Sequence, residues 1–411
     1  MALSHTTGTE HALGQTLDTN AGWIAQELTA AGIHPVRHAV VTDDLAAIRD
    51  EIARAAEQAD LLIVSGGLGT TADDLTRQAL AAAMGVELVL DEKSLERIRD
   101  FFIRRAVAMP DANQLQAWLP RGATPLENPV GTAPGIRASL ARADVFVLPG
   151  VPREMKQMFQ QHVRPALAGH RAEAVILQSV VRTYGAPESA IGETLADLMQ
   201  RGRNPNVGTT AADAIIGVRV NAHGPSRAVA ERLLEADVAE LTRRLGSLVF
   251  GRDDATLQSA VAELLVRQRR TIATAESCTG GLLAKRLTDV PGSSAYFLEG
   301  FITYANAAKE QRLAVPSELL ARHGAVSREV AACLAQNARR LAGADLALST
   351  TGIAGPTGGT ADKPVGLVFI GLASAERVEV KELRLGEQLS RVEIRDRAAK
   401  AALNLLRLAL L

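Results

Sequence analysis

Only two of the 411 residues are cysteine, Cys278 and Cys333. That is too few for a disulfide framework or a thiolate zinc site, and it fits a reducing compartment. Aromatic residues make up 3% of the chain, so its core has to be built from Ala, Leu, Val and Ile. No run of about 18 apolar residues occurs, so no membrane-spanning helix is expected. The opening stretch, MALSHTTGTEHALGQ, has no basic segment ahead of an apolar one, so a secretion signal is not expected and a cytoplasmic location is. The formal net charge of -1 lacks the basic excess of a general nucleic-acid binder, so no direct nucleic-acid partner is expected.

What is present is ordinary globular material, 47% apolar and 22% charged. At roughly 100–200 residues per domain, this length predicts two or three domains. Residues 1–169 alternate strand and helix patterns. Helices are predicted over 23–31, 44–59 and 73–84, and strands over 36–41, 59–65 and 144–148. Such alternation predicts a parallel α/β sheet. Residues 170–252 change texture, with strand patterns at 175–182 and 214–221 and a helix over 226–245, and predict a small α+β connecting domain. Residues 253–411 form a second α/β unit, with helices at 255–269, 327–341 and 394–410 and strands at 271–275, 301–304, 346–349 and 366–372.

The chemistry of the last unit centres on Ser277, which lies in a strand-to-helix turn followed by Thr279, Gly280 and Gly281. Such a turn lifts a side chain above the C-terminal edge of a sheet, where α/β proteins bind ligands. Backbone N–H groups at the helix start could hold an oxyanion. A serine nucleophile needs a base, and His323 reads as an ordinary helix end, so a Ser-His-Asp triad is poorly supported. Lys309 is the better candidate. It falls in the first turn of a helix that Asn306 could cap, where the dipole and burial both favour a neutral amine. Tyr304 is near enough in sequence to share the pocket. The loop TTGIAGPTGGT, with Thr351, Gly352, Gly355 and Gly358, leaves a strand and could wrap donors around a phosphate over Gly352–Gly359. Lys363, Arg391 and Arg395 could add phosphate contacts. Each feature alone has a plainer explanation: a cap, a surface charge, an exposed helix face. Cys278 is a rival nucleophile or a small buried apolar residue.

In the first unit, Gly66-Gly-Leu-Gly69 and Thr70 join a buried strand to a helix and could cradle phosphate. Thr71 to Asp74 could equally be a capping box. Asp73 and Asp74 could instead hold a divalent metal over a pyrophosphate.

Taken together, AESCTGGLLAKRLTDVPGSSAYFLEGFITYANAAKEQRL and TGIAGPTGGTADKPVG resemble the C-terminal domain of the CinA (competence/damage-inducible protein) family. The resemblance implies nicotinamide-nucleotide amidohydrolase activity without a cofactor. A serine nucleophile and a lysine would match Ser277 and Lys309, with Tyr304 and the glycine loop in the same pocket. TGTEHALGQTLDTN, SGGLGTTADDLTRQAL, NPVGTAPG and LPGVPREMKQMF resemble the same family's N-terminal domain, which implies a molybdopterin-binding-like fold and ADP-ribose pyrophosphatase activity with a divalent metal. The matching positions are Thr9, Glu10, Asp18, Asn20, Gly66, Gly67, Gly69, Asp73, Asp74, Gly150 and Glu154. VRTYGAPESAIGETL resembles the family's connecting domain. Two departures stand out: Thr70 replaces the usual proline, and only MALSHT precedes TGTE, so the first strand is expected to be short or partly missing. The resemblance further implies nicotinamide mononucleotide and ADP-ribose as ligands, and a homodimer. The rival expectation is a non-catalytic adaptor or a pterin- or nucleotide-binding module with vestigial sites.

Overall fold

In the computed structural model, residues 2–33, 35–167 and 175–411 are described. The expected boundary at 169/170 lies outside the described residues. The chain divides into two compact units, residues 1–178 with 222–234, and residues 179–221 with 235–411.

The first unit is a three-layer α/β structure. Its strands are β1 (Ala2–Thr7), β2 (Pro35–Val41), β3 (Leu61–Ser65), β4 (Thr124–Leu126), β5 (Gly135–Leu140) and β6 (Ala143–Leu148), in the order β2-β1-β3-β6-β5-β4. The first four of that order run parallel; β5 and β4 are antiparallel additions, so the sheet is mixed rather than parallel throughout. In β3, Leu62 and Val64 face the helix α2 (Leu45–Gln58) through Ile48, Ile52 and Ala55. Leu61 and Ile63 face the helix α1 (Thr19–Ala30) through Ile24 and Leu28. A period of two on a strand buried on both faces gives this near-continuous apolar run.

The expectation of a short or missing first strand is overturned. Ala2–Thr7 is a full six-residue strand in the interior of the sheet, buried at every position. Two of its polar side chains find hydrogen bonds there: Ser4 bonds His38 and Thr7 donates to the Ser65 carbonyl, while the His5 ring, 3.1 Å from Glu51, and the Thr6 hydroxyl form none among the described residues. Burial, reinforced by Arg37, lowers the His5 imidazole to about 3, so it sits in the core uncharged.

The second unit contains most of a four-stranded sheet with the strands β7 (Val175–Tyr184), β8 (Asn206–Ala212), β9 (Ile215–Gly224) and β10 (Val249–Arg252), in the order β8-β9-β7-β10. It then builds a five-stranded sheet from β11 (Ile272–Glu276), β12 (Phe297–Ile302), β13 (Leu346–Gly352), β14 (Leu367–Ala373) and β15 (Val378–Arg384), in the order β12-β11-β13-β14-β15. Here too the sheet is mixed: β12, β11 and β13 are parallel, while β14 and β15 are antiparallel. One face packs on the long helix Arg391–Ala409 through Ile394, Ala398, Ala402 and Leu406. The other packs on the helix Arg328–Ala342 through Val330, Leu334 and Ala338. Ala273 and Ala275 let that second helix approach β11 closely. Among the described residues, no helix is long and apolar enough to cross a membrane.

Candidate functional site

In the second unit, three parallel strands end at one edge and deliver the predicted residues there. β11 runs into Ser277, β12 runs through Thr303 to Tyr304, and β13 runs into the glycine loop. The Ser277 amide donates to the Thr350 carbonyl at 2.9 Å, and the Gly280 amide closes the turn on the Ser277 carbonyl at 3.2 Å. Gly280 needs its lack of a side chain, because φ is +58° and a Cβ would stand 3.3 Å from the Arg395 guanidinium. The Ser277 hydroxyl is half-buried and has no hydrogen-bond partner among the described residues.

Lys309 is 1% exposed and lies in the first turn of the helix Asn306–Leu313. Its Nζ donates to the carbonyls of Thr303, at 3.0 Å, and Tyr304, at 3.1 Å. Burial pushes its pKa below the ordinary lysine value, against an opposing pull from Cys278, the residue after Ser277. Thr303 ties the amine to the strand that carries the serine turn, because its own amide donates to the carbonyl of Glu276, the residue before Ser277. In its neutral form the amine would have both N–H bonds accepted by these two carbonyls and its lone pair left over. Asn306 does not cap this helix: the N-cap is Ala305, with no side-chain bond.

Burial pushes the Cys278 thiol up to about 12, so the thiolate a cysteine nucleophile needs is disfavoured. His323 ends the short helix Ser317–His323, as expected.

The expectation that the helix start after Ser277 offers its amides to an oxyanion needs correction. The amides of Gly281, Leu283 and Ala284 are taken by the buried carboxylate of Glu276. The amides of Cys278 and Thr279 have no oxygen acceptor among the described residues. Thr279 is fully buried, its hydroxyl 2.6 Å from that of Thr350.

Arg391 and Arg395 do reach the site. Arg391 donates to the Tyr304 hydroxyl at 2.6 Å and to the Gly355 carbonyl at 2.8 Å, and Arg395 donates to the Thr279 carbonyl at 2.7 Å. Gly355 and Gly358 take positive φ in the loop, at 69° and 90°. Other predicted contacts are turned away. Lys363 donates to the carbonyl of His323 at 2.6 Å, where a cation suits a helix C-terminus. The Thr351 hydroxyl is spent on the Ala325 carbonyl, and Gly352 ends β13, where a Cβ would meet the Leu367 carbonyl at 2.7 Å.

The first unit has its own cavity, of about 390 Å³, at the ends of β1, β3 and β6. Glu10, Asn20, Gly66, Gly67, Gly69, Asp73, Asp74, Gly150 and Glu154 line it. Gly67 has φ +69°, and a Cβ there would stand 2.1 Å from the Thr76 hydroxyl. Asn20 donates to Ser65 and to the Gly150 carbonyl, while its own buried Oδ1 has no hydrogen-bond partner among the described residues. Thr9, Asp18 and Thr70 do not line the cavity. The Thr9 hydroxyl and amide bond Asp43. Asp18 caps α1 and bonds His38 at 2.8 Å. Burial would raise its carboxyl, but the bonds from His38 and the Ala21 amide win and hold it well below the usual range. Asp74 accepts from the Thr71 amide at 2.9 Å and closes a turn ahead of the helix Thr76–Met84. That helix takes no side-chain cap, so the capping-box reading does not hold.

Sequence reasoning missed Arg77, which is 3% exposed and donates to the Leu68 and Gly69 carbonyls. Five carboxylates line the cavity: Glu10, Asp43, Asp73, Asp74 and Glu154. No three acidic, histidine or cysteine side chains converge as a metal cage among the described residues.

Comparison with known proteins accounts for most of the chain. Residues 254–410 match the family described as "CinA C-terminal domain", and residues 178–251 match "Damage-inducible protein CinA KH domain". Residues 5–169 match "Probable molybdopterin binding domain". A relative from Moorella thermoacetica, which bears a competence-damage inducible name, is 43% identical over 402 residues, covering 97% of this chain and 96% of the relative. A "CinA-like protein" from Kosmotoga olearia is 39% identical, covering 98% and 97%. The solved structure of a competence/damage inducible protein from Agrobacterium tumefaciens is 41% identical, covers 38% of this chain and 96% of its own, and has a TM-score of 0.36. With mixed α/β units carrying a molybdopterin-binding-type domain, a KH-like connecting domain and a CinA C-terminal domain in that order, the chain belongs to the CinA family.

Proposed function

We propose that the second unit hydrolyses the carboxamide of nicotinamide mononucleotide to nicotinate mononucleotide and ammonia. The observation that carries this reading is Lys309: a buried amine whose pKa burial lowers, whose Nζ donates to the Thr303 and Tyr304 carbonyls, and whose partner Thr303 bonds Glu276, the residue before Ser277. Ser277 Oγ attacks the carboxamide carbon, and Lys309 takes the hydroxyl proton. The amides of Cys278 and Thr279 hold the oxyanion. The carbon–nitrogen bond breaks, Lys309 returns the proton to the leaving nitrogen, and ammonia departs. Water then attacks the ester on Ser277, giving its proton to Lys309, which passes it to the serine oxygen as the acid leaves. Ser277 and Lys309 are not hydrogen-bonded in this structure, and such bonds commonly tighten only in the complex with substrate. Arg391, Arg395 and the loop around Gly355 and Gly358 receive the phosphate, with Tyr304 held against Arg391. No metal takes part in this scheme. The test is ammonia release from nicotinamide mononucleotide by the intact chain, beside Ser277→Ala and Lys309→Ala. Loss in both variants supports the reading; no turnover by the intact chain defeats it and favours a binding role.

A second reading, metal-dependent cleavage of ADP-ribose to AMP and ribose phosphate in the first unit, is favoured by the cavity beside Gly66–Gly69. Its acidic lining repels bare phosphate, so the divalent ion would arrive on the pyrophosphate, with the exposed Asp73 the carboxylate that meets it. A homodimer in the cytoplasm completes the proposal, and light scattering of the full chain tests the assembly.

A further inference from the structure

We propose that Glu276 is a positioning residue for this reaction: its carboxylate sets the shape of the Ser277 turn and reserves the Cys278 and Thr279 amides for the oxyanion. The inference rests on the amidohydrolase reading. Glu276 ends β11 and is fully buried, which is rare for an acidic side chain without a charged partner. No salt bridge involves it among the described residues. Its partners are instead three backbone N–H groups. Oε2 accepts from Gly281 and Leu283, both at 3.0 Å, and Oε1 accepts from Ala284 at 2.8 Å.

A helix is normally capped by a short polar side chain at its own N-cap. Here the N-cap is Gly281, which has no side chain, and the cap reaches in from the strand beneath. The polypeptide between cap and helix, Ser277 to Gly280, is thus pinned at both ends. Amides that would otherwise compete for an anion are already occupied. The same residue also sets the lysine. Its carbonyl accepts from the Thr303 amide at 2.9 Å, and the Thr303 carbonyl accepts from Lys309 Nζ at 3.0 Å. Side chain and backbone of one residue therefore hold the two halves of the serine–lysine pair in register.

Glu276→Gln keeps the size and replaces one acceptor by an NH₂ that faces a backbone N–H. Displacing a reacting group by an ångström costs about 10²-fold, so kcat is expected to fall by about that factor while KM stays within about twofold. The pH limb set by Lys309 should not move. A kcat within about threefold of the unaltered chain would overturn the proposal, as would loss of that limb, which would make Glu276 a proton-transfer group. A fluorophosphonate probe at Ser277 gives a reading that needs no nucleotide substrate. Glu276→Gln should slow labelling by about tenfold or more, and unchanged labelling contradicts the inference. If the intact chain releases no ammonia yet labels normally, the amidohydrolase reading fails, and the labelling rate still decides the role of Glu276. Should the variant not fold, hydrogen exchange on the unaltered chain decides. The Gly281, Leu283 and Ala284 amides should exchange at least about tenfold more slowly than those of Cys278 and Thr279. Equal exchange would refute the clamp.

Discussion

The Ser277 turn and the Gly66–Gly69 loop are built alike and finished differently. Each leaves a buried parallel strand, passes through small residues and enters a helix. In the second unit a buried acid takes the amides at the helix start, and a buried amine donates to the Thr303 carbonyl. In the first, a buried arginine takes the loop carbonyls, and a cavity of about 390 Å³ stays open beside Asn20, whose Oδ1 has no hydrogen-bond partner among the described residues. The same strand-to-helix junction is capped by a buried side chain in one unit and opens onto a cavity in the other.

The largest expected contrast is in the reacting pair. Ser277→Ala and Lys309→Ala should each lower amide hydrolysis by at least about 10³-fold, and the double variant should be no worse than either, because residues acting as a unit are not additive. In the intact chain kcat/KM should rise with pH through a pKa below the ordinary lysine value, since burial favours the neutral amine and the neutral amine is the base. A profile that falls over that range would break the assignment.

Metal removal separates the two regions next. A chelator should leave ammonia release unchanged and abolish ADP-ribose cleavage; sensitivity of the first would contradict the metal-free scheme. Arg391→Ala and Arg395→Ala should raise KM for the nucleotide by about tenfold to a hundredfold, the scale of one charged hydrogen bond, and much less for the phosphate-free riboside. Equal losses for both substrates would remove the phosphate from that end of the site. Gly67→Ala should destabilise the first unit by about 1–3 kcal/mol, read from thermal unfolding, because its positive φ and the Thr76 hydroxyl leave no room for a Cβ. The smallest effect is Lys363→Ala, which should change KM by less than about twofold, since its amine caps a helix end instead of facing the site.

Much of this was legible in the sequence, and the rest was hidden for physical reasons. The strands 61–65 and 346–352 and the helices around Ile48–Ile52 and Val330–Ala338 follow from local periodicity. The meeting of Arg391 with Tyr304 and of Arg395 with Thr279 is not a matter of periodicity; strand ends and the family resemblance point to these residues, and the fold supplies their contacts. The first strand is hard to read because only MALSHT precedes TGTE and Ser4, His5, Thr6 and Thr7 are polar; its burial rests on pairing with two neighbouring strands and on the long-range bonds of Ser4 and Thr7. The antiparallel turn-back at β14 and β15 depends on pairing, which periodicity does not encode. Glu276 and Arg77 carry no local signal in the sequence; their burial and backbone partners come from the fold. Lys363 binds a helix end distant in sequence, and Asp18 caps the helix that starts at the next residue.

The most direct test of the central claim is to quench the reaction of nicotinamide mononucleotide with acid and weigh the intact chain and its Ser277 peptide. The account predicts a nicotinate-nucleotide ester on Ser277 that is absent in both Ser277→Ala and Lys309→Ala. Full turnover with no adduct on Ser277, or an adduct on another residue, would contradict it.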